Sequence, residues 1–215
     1  MVDALTKLKN KEIKGDELAE LVQRDRDLLP MTLKGISSPK AHVRYPCAKA
    51  LTMLSEDKPE WLIPHFDFFV DLLNSEKRIL KWNAINTIAN LSKVDTEDQI
   101  DAIFDQLFGL MNADYMVTVA NVIGAAGKIG KAKPQLADRI TRELFKVENL
   151  SLKSHLTLEC RNILLGHTIQ ALDHFYENIE NKGDVVSFVE RQLDNTRNST
   201  RVKAENFLHN RSGSQ

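Results

Sequence analysis

The chain repeats a helical pattern of apolar residues with a period of 37. Stepping by 37 from three starting positions reaches twelve residues, all of them apolar. They are Leu29, Phe66, Ile103, Ile140, Leu33, Val70, Leu107, Leu144, Ile36, Leu73, Leu110 and Val147. Within each copy the offsets are 0, 4 and 7, which share one face of an α-helix. Because 42% of the chain is apolar, chance would give this match about once in tens of thousands of trials. The period predicts stacked helical units.

A second helix is predicted in every copy after a short polar turn. The turn carries residues that favour helix N-caps, namely Ser38, Ser75, Asn112 and Asn149. The core positions of the second helix in the first two copies are Val43/Leu80, Cys47/Ala84, Leu51/Ile88 and Leu54/Leu91. The third copy, from Val117 to Gly130, needs a shift of one or two residues, and the fourth departs further from Leu152 onward. Each unit is therefore predicted to be a pair of antiparallel helices.

Prolines and capping residues indicate where helices begin. Pro59 and Pro134 fall at first-helix starts, where a missing N–H costs nothing. Thr96 with Gln99 fits a capping box at the third start. Pro46 falls inside a second helix, so it predicts a kink or a late start of that helix.

The second-helix segments resemble HEAT or armadillo-type repeats. Val43-Arg44-x-x-Cys47-Ala48-x-x-Leu51 is similar to the HEAT pattern Val-Arg-x-x-Ala-x-x-Ala-Leu, and Leu80-Lys81-x-x-Ala84 repeats it with Lys for Arg. A proline inside a first helix, Pro64, is also common in HEAT units. The resemblance covers roughly residues 28–210. It implies an all-α, right-handed solenoid of about five antiparallel helix pairs that binds protein partners. It also implies that Arg44 and Lys81 join a side-chain ladder between units, and the alternative is that they contact a ligand.

One solenoid domain over residues 1–215 is expected from these patterns. Residues 1–27 form an N-terminal cap and residues 28–180 form four repeats. Residues 181–210 form a C-terminal helix pair, and residues 211–215 are expected to be a disordered tail.

Composition excludes several classes of protein. The net charge of −1, from 29 Lys+Arg and 30 Asp+Glu, lacks the basic excess of most nucleic-acid-binding proteins. Two cysteines, Cys47 and Cys160, are too few for a disulfide scaffold of this length. The N-terminus has no signal-peptide pattern, and no apolar run approaches the ~18 residues of a membrane span. We expect a cytoplasmic protein with both thiols in the core, no membrane association and no nucleic-acid partner.

Motifs for catalysis or metal binding are missing from the sequence. The segment Gly124–Lys131 is rich in glycine but fails the Walker spacing, so it indicates close packing of small residues. Cys160, His167 and His174 are seven residues apart, about 10 Å along a helix, which is too far for one metal ion. We therefore expect no catalytic residue, no metal and no cofactor.

The outward side of the second helices is the candidate binding surface. Its residues are Tyr45, Lys49, Trp82, Asn83, Asn86 and Asn90. Tyr45 and Trp82 are 37 residues apart and should lie in register. Two aromatic rings flanked by amides can hold an extended peptide, because rings bury apolar area and amides satisfy backbone groups. The alternative is that both rings pack between neighbouring units.

Charge alternates along the chain and gives a second hypothesis. Six acids and no base lie from Asp95 to Asp114, and seven bases lie from Lys128 to Lys153. These segments are either adjacent faces that attract each other or a basic patch for an acidic peptide or nucleic acid. The patch consists of Lys128, Lys131, Lys133, Arg139, Arg142 and Lys146. The alternative function is a nucleic-acid-binding HEAT-like protein or a DNA glycosylase for alkylated bases, although Trp82 is followed by Asn83 and not by the acid such an enzyme needs.

Overall fold

A computed structural model describes residues 4–212, and this part of the chain is helical. One isolated antiparallel bridge joins Lys153 and Leu156. Residues 213–215, most of the expected tail, lie outside the described residues, as do residues 1–3 of the expected cap. The tail prediction was wrong for Arg211 and Ser212, since the last helix includes both.

Along most of the chain, one or two short helices precede each long helix. The first seven are α1 (Ala4–Lys9), α2 (Gly15–Arg24), α3 (Leu29–Gly35), α4 (Ala41–Asp57), α5 (Pro59–Leu62), α6 (Phe66–Leu72) and α7 (Arg78–Leu91). The remainder are α8 (Gln99–Ala102), α9 (Phe104–Gly109), α10 (Met116–Ala132), α11 (Ala137–Phe145), α12 (Leu158–Phe175), α13 (Lys182–Glu190) and α14 (Asn198–Ser212). The helices form two compact units, one ending at Gln99 and one beginning at Ile100.

The long helices are the predicted second helices, and they form much of each core. In the first unit α2 packs on α4 and α4 packs on α7, and in the second unit α10, α12 and α14 pack in sequence. All eight core positions predicted for the first two second helices are buried, from Val43 to Leu91. Of the twelve apolar positions in the first helices, eight are buried, whereas Leu33, Val70, Ile103 and Leu110 are half-buried. The helical period therefore identified the core.

The spacing between second helices is less regular than the sequence period. They begin at Ala41, Arg78, Met116, Leu158 and Asn198, so the intervals are 37, 38, 42 and 40 residues. The longest interval contains the non-helical residues 150–157 and their isolated bridge. This insertion explains why the fourth copy departs from the period at Leu152.

The first half of a unit is broken by tight turns. The helix that begins at Pro59, as predicted, passes into a 3₁₀ turn around Pro64 before α6. Such a unit has three helices, an arrangement of armadillo-type repeats. The predicted capping box was wrong, because the N–H of Gln99 donates to Asp95 Oδ1 at 3.0 Å and not to Thr96. Helix α4 begins at Ala41 and continues through Pro46, so the prediction that it starts late was also wrong.

Arg44 closes the turn of its own unit. Its Nη1 donates to the carbonyl oxygens of Ser38 and Pro39 at 2.8 and 3.3 Å. In the last unit Arg201 makes the same contact with the carbonyl of Asn195 at 2.8 Å. The ladder expected of Arg44 was therefore wrong, since the residue bonds within its unit.

Small residues permit close packing of α10 on α12. A Cβ on Gly127 would lie 3.2 Å from the Cα of Ala171, and one on Gly130 would lie 2.6 Å from the ring of Phe175. Gly124 differs, because its Cβ would meet nothing within 4 Å. Close packing is thus confirmed for two of the three glycines of this segment.

Candidate functional site

Two successive second helices of the first unit present similar outward faces. Tyr45 on α4 and Trp82 on α7 are half-buried, although the core residues beside them are fully buried. One turn further along, Lys49 is exposed and Asn86 is half-buried. We call these four residues the second-helix face. Each helix thus contributes one aromatic ring and one polar side chain.

Two predicted site residues contact the neighbouring helix instead. Asn90 is 1% exposed, and its Nδ2 donates to Ser55 Oγ on α4 at 2.9 Å. Asn83 Oδ1 accepts from Thr52 Oγ1, also on α4, at 2.9 Å. Asn90 was therefore wrongly placed on a binding face, and Asn83 belongs to its edge. Thr52 and Ser55, polar residues at inward positions of α4, were the sequence signal for this hydrogen-bonded interface.

One positive group lies over Tyr45, and another lies one helical turn along α4. The Arg44 guanidinium carbon lies 4.8 Å from the centre of the Tyr45 ring. Lys49 Nζ lies 3.6 Å from Asp16 Oδ1 on α2, with both side chains at least half exposed. Such an exposed pair holds its partners weakly, so Lys49 remains able to contact a ligand.

An apolar cleft opens beside this face, between α3 and the start of α4. Its volume is about 620 Å³. It is lined by Pro30, Met31, Lys34, Gly35, Ser38, Pro39, Lys40 and Val43. We call it the α3–α4 cleft. It adjoins the second-helix face, because Arg44 bonds to Ser38 and lies against Tyr45. Sequence reasoning missed the cleft, since its shape depends on the conformation of the turn at residues 36–40.

Two of the six residues of the predicted basic patch pair with carboxylates within the second unit. Arg139 donates to Asp101 Oδ1 at 2.7 Å and to Asp105 Oδ1 at 2.9 Å, and it lies over the Phe104 ring at 3.8 Å. Lys146 pairs with Glu143 at 2.6 Å. Of the other predicted members, Lys133 is 7% exposed, whereas Lys128, Lys131 and Arg142 are exposed. The geometry favours adjacent faces that attract each other over an open anion site.

The thiols and histidines differ in their burial and surroundings. Within residues 4–212, no group of three or more His, Cys, Asp or Glu side chains is placed to hold a metal ion. Burial raises the pKa of the Cys47 thiol to about 11, so this group is inert at neutral pH. Cys160 is only half-buried, which corrects its expected place in the core. Burial first, and then nearby Lys203 and Arg197, lower the pKa of His167.

Membrane spanning has no support from the helices. Among the described residues, none of the helices combines the length and the apolar character that crossing a bilayer requires.

Comparison with solved structures identifies the fold. The designed armadillo repeat protein YIII(Dq)4CqI matches with a TM-score of 0.57 at 16% identity, over 96% of this chain and 91% of that chain. Armadillo repeat proteins designed computationally for modular peptide recognition match with a TM-score of 0.55 at 14% identity, over 90% and 85%. An engineered protein from the Northeast Structural Genomics Consortium has a TM-score of 0.54 at 18% identity, over 91% and 84%. No family model and no curated protein sequence matches the chain.

The chain therefore has the fold of an armadillo-type helical repeat protein. At these identities the likeness extends to the fold alone. One fold can support many functions, so the function of this protein depends on the residues of its surface.

Proposed function

We propose that the protein is a non-catalytic scaffold that binds an extended peptide on the second-helix face. The observation that carries the proposal is an aromatic ring at equivalent positions of two successive second helices. Tyr45 and Trp82 remain half-exposed although the positions beside them are closed. One structural neighbour was designed for modular peptide recognition, which makes a peptide partner consistent with the fold.

The residues of the second-helix face hold a peptide through different kinds of contact. The rings of Tyr45 and Trp82 bury apolar side chains of the ligand, as aromatic residues do at interface centres. The Asn86 amide lies one turn from Trp82, and its Nδ2 donates to the Trp82 carbonyl at 2.8 Å, which fixes its orientation. An oriented amide pairs with a peptide group at little cost in side-chain entropy.

Replacing Trp82 by alanine tests the proposal. A ligand-contacting ring should weaken peptide binding by ~2 kcal/mol or more, with little change in the unfolding midpoint. A ring that only packs between helices should cost ~3–5 kcal/mol of stability. The probe is a displayed library of short random peptides, from which binders are selected and titrated calorimetrically.

Trp61 provides the matched control. It is also half-buried, but it lies on α5 under the Arg26 guanidinium, at 5.2 Å from the ring centre. Trp61→Ala should leave the affinity of the selected peptides unchanged. Equal affinity losses in both variants, or a large stability loss for both Tyr45→Ala and Trp82→Ala, would remove the second-helix face as the site.

The nucleic-acid alternative has weaker support. It relied on the six-residue basic patch, of which Arg139 and Lys146 pair with carboxylates and Lys133 is buried. We therefore make it an outcome of the experiments below.

A further inference from the structure

The sequence segments that carry the second-helix face are rich in bases. From Lys34 to Ser55 the sequence contains four Lys or Arg residues and no Asp or Glu. From Lys77 to Val94 it again contains four bases and no acid. These segments carry α7 and all of α4 except its last two residues, the acids Glu56 and Asp57, and the two helices present Tyr45 and Trp82. The bases near the N-terminal ends of the two helices are Lys34, Lys40, Arg44, Lys77, Arg78 and Lys81, whereas Lys49 lies in the middle of α4 and Lys93 lies beyond the C-terminal end of α7.

Several of these bases keep an uncompensated charge. Within the part of the chain that the structure describes, Lys34, Lys40, Lys77 and Lys81 form no ion pair with a carboxylate. In the second unit, by contrast, bases such as Arg139 are held by carboxylates. These four lysines are therefore available to a ligand beside the second-helix face, whereas Arg139 of the predicted patch is held by two carboxylates.

The same lysine occurs at the same place in two successive units. Lys40 is the N-cap residue of α4 and Lys77 is that of α7. Their backbone N–H groups donate to Ser38 Oγ at 3.2 Å and to Ser75 Oγ at 3.1 Å, so both turns hold the lysine alike. Neither helix has an acid in its first turn. Cations are unfavourable at a helix N-terminus, so these lysines oppose local stability.

The α3–α4 cleft supplies an apolar complement to this charge. Lys34 and Lys40 belong to its lining, together with Met31 and Val43. A site of this size accepts a large apolar side chain. A ligand that fills the cleft therefore brings its flanking groups close to two lysines.

We propose that the partner is an acidic extended peptide, whose carboxylates contact Lys34, Lys40, Lys77 and Lys81 and whose apolar side chain enters the α3–α4 cleft. The inference rests on the proposed function and adds the chemistry of the ligand. Charge complementarity selects an anionic partner, and the cleft selects a peptide over a nucleic acid, which has no aliphatic side chain to place there.

The first experiment reads the chemistry of the ligand directly. Short random peptides are selected on the wild-type protein at about 0.15 M salt, where exposed charges more than ~8 Å apart are screened. Selected sequences should be enriched in Asp and Glu and should share one large apolar residue. Their affinity should fall as salt rises. Enrichment of neutral or basic peptides would overturn the inference.

Two charge-reversal double variants locate the site. Lys40→Glu with Lys77→Glu changes the N-terminal ends of α4 and α7, and Lys58→Glu with Lys93→Glu changes the C-terminal ends of the same helices. Both variants alter the net charge equally. The first should weaken the selected acidic peptide about tenfold or more, and the second by no more than about twofold. Because an acid suits a helix N-terminus, the first variant should be at least as stable as the wild type, and its unfolding midpoint is measured beside its affinity.

The remaining arms separate the possible failures. Met31→Glu should weaken acidic peptides by placing a carboxylate in the cleft, and unchanged affinity would remove the cleft from the site. Selection of neutral peptides that depend on Trp82 would overturn the acidic partner but keep the proposed function. Failure to enrich any peptide would overturn both. Tighter binding of a single-stranded DNA oligonucleotide than of any selected peptide, lost in Lys40→Glu with Lys77→Glu, would replace the peptide by nucleic acid.

Discussion

At the scale of single residues, the space beside a side chain decides which substitution the protein tolerates. Gly124 and Gly130 both lie inside α10, where glycine is unfavourable because of its backbone freedom. Both residues are glycines of the same helix, but their surroundings differ. Gly124 faces open space, and Gly130 faces the ring of Phe175. Sequence alone treats the two glycines alike.

We expect opposite effects from the same substitution at these two positions. Gly124→Ala should stabilise the protein by about 0.5–1 kcal/mol, the usual gain in helix propensity. Gly130→Ala should destabilise it by about 1–3 kcal/mol, because the new Cβ would lie 2.6 Å from the ring of buried Phe175. Urea unfolding of both variants measures the difference. A stabilised Gly130→Ala protein would contradict the close packing of α10 on α12.

Cys47 should make stability depend on pH in the alkaline range. Its thiol is fully buried and its pKa is raised from 9.0 to about 11, because burial disfavours the thiolate. The unfolded chain therefore loses this proton first, so the stability contribution is complete below pH 9 and is lost as the pH rises toward 11. The loss is about 2–3 kcal/mol, at ~1.4 kcal/mol for each unit of pKa.

The control for this prediction is Cys47→Ala, which removes the titrating group. Unfolding free energies measured from pH 8 upward should fall less steeply for this variant than for the wild type, whatever its stability at neutral pH. Parallel curves for the two proteins would exclude Cys47 as the source of the pH dependence.

At the scale of elements, helical periodicity predicted the core positions that recur in each unit and missed structural features that occur only once. The positions from Val43 to Leu91 were identified because a core contact recurs every three or four residues in a helix. The segment 150–157 was not, because its bridge between Lys153 and Leu156 has no periodic signature. The same period predicted the candidate face, but it misplaced Asn90. A polar side chain suggests exposure in a sequence, whereas the Asn90 amide is buried and donates a hydrogen bond to Ser55.

Helix ends carry a further prediction about charge and stability. Lys40→Glu and Lys77→Glu should each stabilise the protein by about 0.3–1 kcal/mol, because they place a negative charge at a positive helix end. Lys58 is the C-cap residue of α4 and Lys93 follows the C-cap of α7, so glutamate there should destabilise by a similar amount. Urea midpoints at low salt measure both effects, which high salt should reduce. If Lys40→Glu and Lys77→Glu are less stable than the wild type, these lysines have structural partners. They would then not be available to a ligand.

At the scale of the whole molecule, contacts between successive repeats follow the period as closely as the core does. In the second unit Arg139 pairs with Asp101, Arg197 with Glu159 and Arg211 with Asp173, each pair 38 residues apart. These pairs were available to sequence reasoning, since an acid and a base one period apart lie on neighbouring units. Contacts limited to neighbours imply that stability is close to a sum over units and their interfaces.

A deletion of one period should therefore be tolerated where a deletion of half a period is not. Removing residues Ser38 to Asn74 eliminates α4, α5 and α6 and joins α3 to the turn before α7 in the original order. The new junction brings Ser75 to the place of Ser38, and both side chains make the same turn contact with a following lysine. Removing Ser38 to Asp57 instead deletes α4 alone. The short helix α5 would then follow α3, at the place where the repeat requires a second helix. Circular dichroism with thermal melts should show a cooperative helical protein for the first deletion and loss of cooperative unfolding for the second. If both deletions lose structure equally, the helices depend on contacts beyond their neighbours, and the chain is not a stack of exchangeable units.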